Sequence, residues 1–198
     1  SFLIDDKIRK KTIIFVIHPM KMRKLSVTDL NRLSAEDFRS SEKLPLIVVL
    51  DNVRSMYNVG SVFRTADAFL LESIFLCGIT CTPPSVEIHK TALGAEETMA
   101  WKYYADTMDA VKDLKKEGYK VLAIEQAEKS VMLQNLVLSP SEKYALVLGH
   151  EVKGVSQSVV DACDGCIEIP QYGTKHSLNV SVAGGMVIWE CEKQLRKQ

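Results

Sequence analysis

An amide, an arginine, a carboxylate and a hydroxyl, each just past a strand-like apolar run, are the groups in this 198-residue sequence whose types and spacing can do chemistry. Asn58, Gly60 and Arg64 form an N-x-G-x-x-x-R spacing after the apolar run 46–50. Asn58 is expected to cap the helix that follows. Gly60 lets another backbone approach the first turn, and Arg64 can fold a rigid multi-donor fork back towards the strand ends, where with Asn58 it makes a clamp for phosphate or ribose. The same residues also read as purely structural, a cap and an arginine bonded to nearby carbonyls. Gly149, Glu151 and Gly154 form G-x-E-x-x-G straight after the run 144–148. Glycines here let a ligand lie against the main chain, and Glu151 can bond a ligand hydroxyl or orient Arg64; a tight turn is the plainer account. Ser177 and Asn179 follow Pro170 and Gly173 and lead into a helix bearing Ser181, Ala183, Gly184 and Gly185. The expectation is a buried polar pair on a helix packed against another backbone, since two mid-helix glycines need compensation from packing.

Other chemistries fail on spacing. A dinucleotide fingerprint and a phosphate loop are both missing. Ser177 lacks the G-x-S-x-G of a hydrolase nucleophile, and His176 beside it does not make a triad.

These groups need elements to hold them. Residues 46–50, 73–76, 120–124, 144–148 and 166–169 are short, continuous apolar runs, the pattern of strands covered on both faces. Between them, 58–71, 107–117, 156–162 and 179–195 carry apolar residues at helical spacing. The alternation predicts an α/β fold with a largely parallel sheet flanked by helices, and in such sheets ligands gather at the carboxyl ends of strands. Residues 1–43 read as a basic extension, beginning with a helix-like stretch from residue 7, passing Pro19, with cap and turn chemistry at Asp29 and residues 34–37. Residues 44–198 make the main domain.

With 46% apolar and 25% charged residues, the chain is in the range of folded proteins. At this length roughly 70% of the unfolded surface can be buried, so disordered, collagenous and disulfide-stapled classes are excluded. No apolar run reaches the ~18 residues of a membrane span, and the first residues, broken by basic side chains and two Asp, read as neither signal peptide nor anchor. Five cysteines at irregular positions fit a reduced, cytoplasmic setting. Cys163 and Cys166 have ligand spacing without a second suitable pair, so structural thiols and no metal are expected. Lys plus Arg equals Asp plus Glu at 25 each, but residues 1–43 hold ten basic and six acidic side chains. Arg23, Lys24 and Arg32 there are candidates for docking phosphates, with a solvated basic surface as the bland reading. His18, His89 and His150 read as surface or loop histidines, and Trp101 and Trp189 as core or dimer-surface anchors. Residues 90–95 could help build the entrance to a site or simply end a helix at Gly94.

Taken in order, N-x-G-x-x-x-R, L-G-x-E-x-x-G-V and I-P-x-x-G-x-x-x-S-L-N-V-S-x-A resemble the SpoU or TrmH family of the SPOUT superfamily, RNA ribose 2′-O-methyltransferases, over residues 46–195. The resemblance implies a C-terminal deep trefoil knot, S-adenosyl-L-methionine bound in it, a homodimer, and tRNA or rRNA as substrate. It assigns Asn58, Arg64, Glu151, Ser177 and Asn179 to catalysis. Cofactor contacts would come from Ile124, Glu125 and Gln126, from Gly149, His150 and Glu151, from Ile169 and Gln171, and from Ser177 and Leu178. Gln171 departs from the methionine usual after the proline. The family's proposed base is the arginine, yet a neutral guanidine is expensive; proton loss to phosphate or water, with Arg64 gripping the RNA, is compatible with the same residues. The alternative is a catalytically silent knotted RNA-binding or dimerisation protein, which would not need these polar groups together.

Overall fold

The computed structural model describes residues 22–196, so the expectations about the helix-like stretch from residue 7, Pro19 and His18 fall wholly or partly outside the described residues. The chain divides into two units, with the boundary between Leu33 and Ser34. In the described part of the first, a 3-10 turn spans Val27–Leu30, and the Ser26 N–H and hydroxyl both donate to the Asp29 carboxylate at 2.7 Å.

The second unit runs α1 (Ala35–Ser40), β1 (Leu44–Asp51), α2 (Met56–Ala68), β2 (Leu71–Cys77), α3 (Val86–Ala92), α4 (Ala95–Thr98), β3 (Trp101–Tyr104), α5 (Thr107–Lys116), β4 (Tyr119–Ile124), β5 (Val131–Met132), β6 (Lys143–Leu148), α6 (Gln157–Ala162), β7 (Gly165–Glu168) and α7 (Val180–Leu195). Seven strands form one sheet in the order β3-β2-β1-β6-β4-β7-β5, every pair parallel. The apolar runs behave as doubly covered strands must. Along β1, Leu46, Val48 and Leu50 join the core with Phe63 of α2, Ile88 of α3 and Ile188 of α7, while Ile47 and Val49 join the core with Leu114 of α5 and Val159 of α6.

The five expected strands are present, and two more were missed. β3 is a half-exposed edge strand and β5 has two residues stitched to β7, so neither presents an apolar run. The helix expected at 58–71 starts at Met56, because Ser55 and not Asn58 is its N-cap, accepting from Asn58 N at 3.4 Å. Asn179 caps α7, its Oδ1 accepting from Ser181 N at 2.9 Å and Val182 N at 3.2 Å. The two α7 glycines differ: a Cβ on Gly184 would lie 2.8 Å from Leu148 Cδ1, whereas Gly185 faces open space. The close contact is thus with a side chain and at one glycine only. The stretch 90–95 contains a helix end, with Leu93 in the left-handed region at φ 54°. Among the described residues no helix is long and apolar enough to cross a membrane.

Because β6 lies between β1 and β4, the carboxyl ends of these strands are neighbours. Residues about 95 apart in sequence come together there.

Candidate functional site

Glu151 is the hub. Its Oε2 accepts from Arg54 N at 3.0 Å, and its Oε1 from Ser55 N at 2.8 Å and Asn58 Nδ2 at 2.9 Å. Asn58 turns its own Oδ1 to Asn179 Nδ2 at 3.1 Å, and Ser181 Oγ donates to Asn179 Oδ1 at 2.7 Å. One hydrogen-bonded run therefore links the loop after β1, the loop after β6 and the start of α7. Burial pushes the Glu151 carboxyl up, but the donors at Arg54, Glu151 itself, Ser55 and Asn58 outweigh it and hold the group at about 2.

The glycines beside Glu151 make the turn that their spacing allowed. His150 and Gly154 exchange backbone hydrogen bonds at 3.1 and 2.7 Å, and a Cβ on Gly149 would lie 2.1 Å from Val155 N. Gly154, at φ +68°, leaves no room for a Cβ against Glu125 Oε2. His150 is half-buried, and its Nδ1 accepts from Val152 N at 3.0 Å.

A cavity of about 400 Å³ opens at the ends of β4, β6 and β7. Ile124, Leu148, Ile169 and Val180 form apolar walls; Glu125, Gln126, Gly149, His150, Glu151, Gln171, Ser177 and Leu178 complete most of the rest. Gln126 Nε2 donates to His176 O at 2.7 Å and ties the segment before α7 across its mouth. A neighbouring cavity of about 340 Å³ shares Ile169, Gln171, Ser177 and Leu178 and reaches Met186.

Three expectations need correction. Ser177 and Asn179 are exposed, not a buried pair, because the segment 171–179 runs over the surface before α7 begins. Glu151 does not orient Arg64, since backbone amides and Asn58 already occupy its oxygens. Arg64 is exposed on α2, lies outside the cavity wall, and has no hydrogen bond or ion pair among the described residues. Arg23, Lys24 and Arg32 are exposed in the first unit, Arg23 pairing with Asp29 at 3.1 Å. Cys163 ends α6 and Cys166 lies in β7, both as free thiols; burial pushes Cys163 up to about 12 against the pull of Lys115. His89 is exposed on α3 and meets Glu96 at 2.5 Å; with Glu97 these could hold a metal ion by proximity, apart from the cavity. Sequence reasoning missed the Arg54 and Ser55 amides, which carry no side-chain signal. It read Ser181 only as a small helix residue, although its place two residues after Asn179, in the first turn of α7, could have flagged it.

A family model described as the SpoU rRNA Methylase family matches residues 45–189. The protein named 23S rRNA (guanosine-2'-O-)-methyltransferase RlmB of Neisseria meningitidis is 29% identical over 151 residues, 76% of this chain and 59% of that protein. The chain thus spans about three fifths of that relative's length. The A. aeolicus TrmH/SpoU tRNA modifying enzyme matches with a TM-score of 0.70 at 27% identity, covering 81% of this chain and 79% of that one. An AdoMet-bound rRNA methyltransferase from Sinorhizobium meliloti matches with a TM-score of 0.71 at 28% identity, over 81% of this chain and 61% of that one. With its family model matched across most of its length, the chain belongs to the SpoU rRNA methylase family.

Proposed function

We propose that this protein is an S-adenosyl-L-methionine-dependent methyltransferase acting on the ribose 2′-hydroxyl of tRNA or rRNA, as a homodimer with a C-terminal trefoil knot. The observation that carries the reading is the hydrogen-bonded run Glu151–Asn58–Asn179, which joins all three motif segments beside one cavity. Relatives bearing rRNA and tRNA names support the substrate class and leave both RNAs open.

The cavity's chemistry fits the cofactor. Ile124, Leu148, Ile169 and Val180 suit an adenine ring, with main-chain groups at the strand ends for its polar edge. The lining carries two carboxylates, Glu125 and Glu151, against one lysine, Lys153, a balance that suits a cation. When bound, the cofactor supplies an activated methyl group on a sulfonium. The protein's task is to align a ribose hydroxyl with it and let one proton leave. Glu151, ionised and fully engaged, orients Asn58 and the β1 loop and does not exchange protons near neutral pH. Ser177, on the wall, and Asn179, at the α7 cap, hold the segment between cavity and helix. Arg64 grips RNA phosphate and ribose from the exposed face of α2, and Arg23, Lys24 and Arg32 add phosphate contacts.

An exposed α7 face of Val182, Met186 and Trp189, with Trp189 52% exposed, supports the dimer. The strand order β1-β6-β4-β7 and the lodging of 176–178 against the 149–155 loop support the knot. The test is incubation with radiolabelled S-adenosylmethionine and total RNA, then mass mapping of labelled ribose. A 2′-O-methylated nucleotide is expected; cofactor binding without labelled RNA would turn the reading to a silent RNA-binding protein.

A further inference from the structure

The loop 149–156 leaves β6 between the carboxyl ends of β1 and β4, and each neighbour holds it with a carboxylate. Glu125, just past β4, accepts Val155 N at 3.1 Å on Oε2; Asp51, the last residue of β1, accepts Ser156 N at 3.0 Å on Oδ2. These are consecutive amides, gripped from opposite sides. Asp51 is 2% exposed. Its Oδ1 accepts from Thr107 Oγ1 at 2.6 Å and from Asn52 Nδ2 at 2.8 Å, and among the described residues no cation pairs with it.

A buried carboxylate is costly to desolvate, and a side chain needed only for packing would do better apolar. Asp51 supplies what an apolar residue cannot, a fixed direction for the Ser156 amide. The His150–Gly154 pairing stiffens the turn that Ser156 follows, so a displacement at this end carries Gly149, His150 and Glu151 with it. Those three residues line the cavity.

We infer that Asp51 is a positioning residue for the cavity: through Ser156 it sets where the loop 149–156 stands, with Glu125 as the opposing clamp. Its effect on ligand binding rests on the cofactor reading above; its hold on the loop does not.

Asp51→Asn keeps the shape and an acceptor for Thr107 but turns an amide donor towards Ser156 N–H. Thr107→Val leaves Asp51 intact, removes one donor, and serves if the first variant does not fold. In the full chain, site-resolved amide hydrogen exchange is measured beside calorimetric titration with S-adenosylhomocysteine. The expected result for Asp51→Asn is faster exchange confined to 149–156 with β1 and β6 still protected, and affinity lowered roughly tenfold, as when a residue supporting a binding group is lost. Thr107→Val gives a smaller change in the same direction. Unchanged affinity in a folded Asp51→Asn, or protection lost evenly across the sheet in both variants, overturns the inference. Wild-type protein that binds no S-adenosylhomocysteine sinks the cofactor reading instead; loop-confined exchange then upholds the role of Asp51, and unchanged loop exchange overturns it.

Discussion

A carboxyl group held at about 2 is a fixed negative charge at every physiological pH, so Glu151 acts by geometry. Its value lies below the ordinary 4.5, so the stability it adds is fully present above about pH 5 and is lost as pH falls towards 2. Glu151→Gln should therefore be less stable than wild type by roughly 1–3 kcal/mol at pH 7, and the gap should close between about pH 5 and 2. Urea unfolding of both proteins across that range checks it. Arg64 is the contrasting case: exposed and unpaired among the described residues, it contributes nothing visible to the fold. Arg64→Ala is expected to abolish methyl transfer while calorimetry finds cofactor affinity nearly unchanged; equal loss of both would contradict its assignment to the RNA. The positions of these groups past strand ends were legible in the sequence. Their partners were not, because the bond from Asn58 to Glu151 spans 93 residues and two of the hub's donors are backbone amides.

The helices that carry the site depend on a close fit. A Cβ on Gly60 would lie 2.2 Å from Thr91 Oγ1 and 2.3 Å from Ile88 O, so α2 and α3 approach as only glycine allows. Gly60→Ala must push a backbone carbonyl away and should lower stability by about 1–3 kcal/mol, read as a melting temperature several degrees lower. An unchanged midpoint would mean that α3 moves freely. The approach of a backbone at Gly60 could be read from its place in an early helical turn; that the backbone belongs to α3 could not. Element detection failed for a related reason. β1, β2 and β6 announce themselves through burial on both faces and β4 and β7 through short apolar runs only partly covered, whereas β3 and β5 owe their existence to a neighbour already in the sheet.

For the molecule as a whole, the face of α7 makes a direct prediction. Trp189 packs at a tilt against Phe69, ring centroids 5.8 Å apart, yet stays half exposed beside Val182 and Met186. Trp189→Glu should convert the proposed dimer into monomers in sedimentation equilibrium, and a dimer that persists would move the interface elsewhere. Removing residues 1–33, which end at the unit boundary, should weaken RNA binding and flatten its dependence on salt. Unaltered binding would confine RNA contact to the second unit. The α/β class was legible because strand and helix periods alternate along the chain. The strand order was not, since nothing local says that residues 143–148 enter between 44–51 and 119–124.

That insertion has a consequence for how the protein is made. While a ribosome has delivered only the strands before β6, its slot stands open, and β1 and β4, which will flank it, have no permanent neighbour there. Unpaired edges of this kind invite wrong partners. Nascent chains arrested with β4 already outside the ribosome and β6 still inside it should be the ones most readily captured by chaperones and degraded, and emergence of residues 143–148 should close that slot.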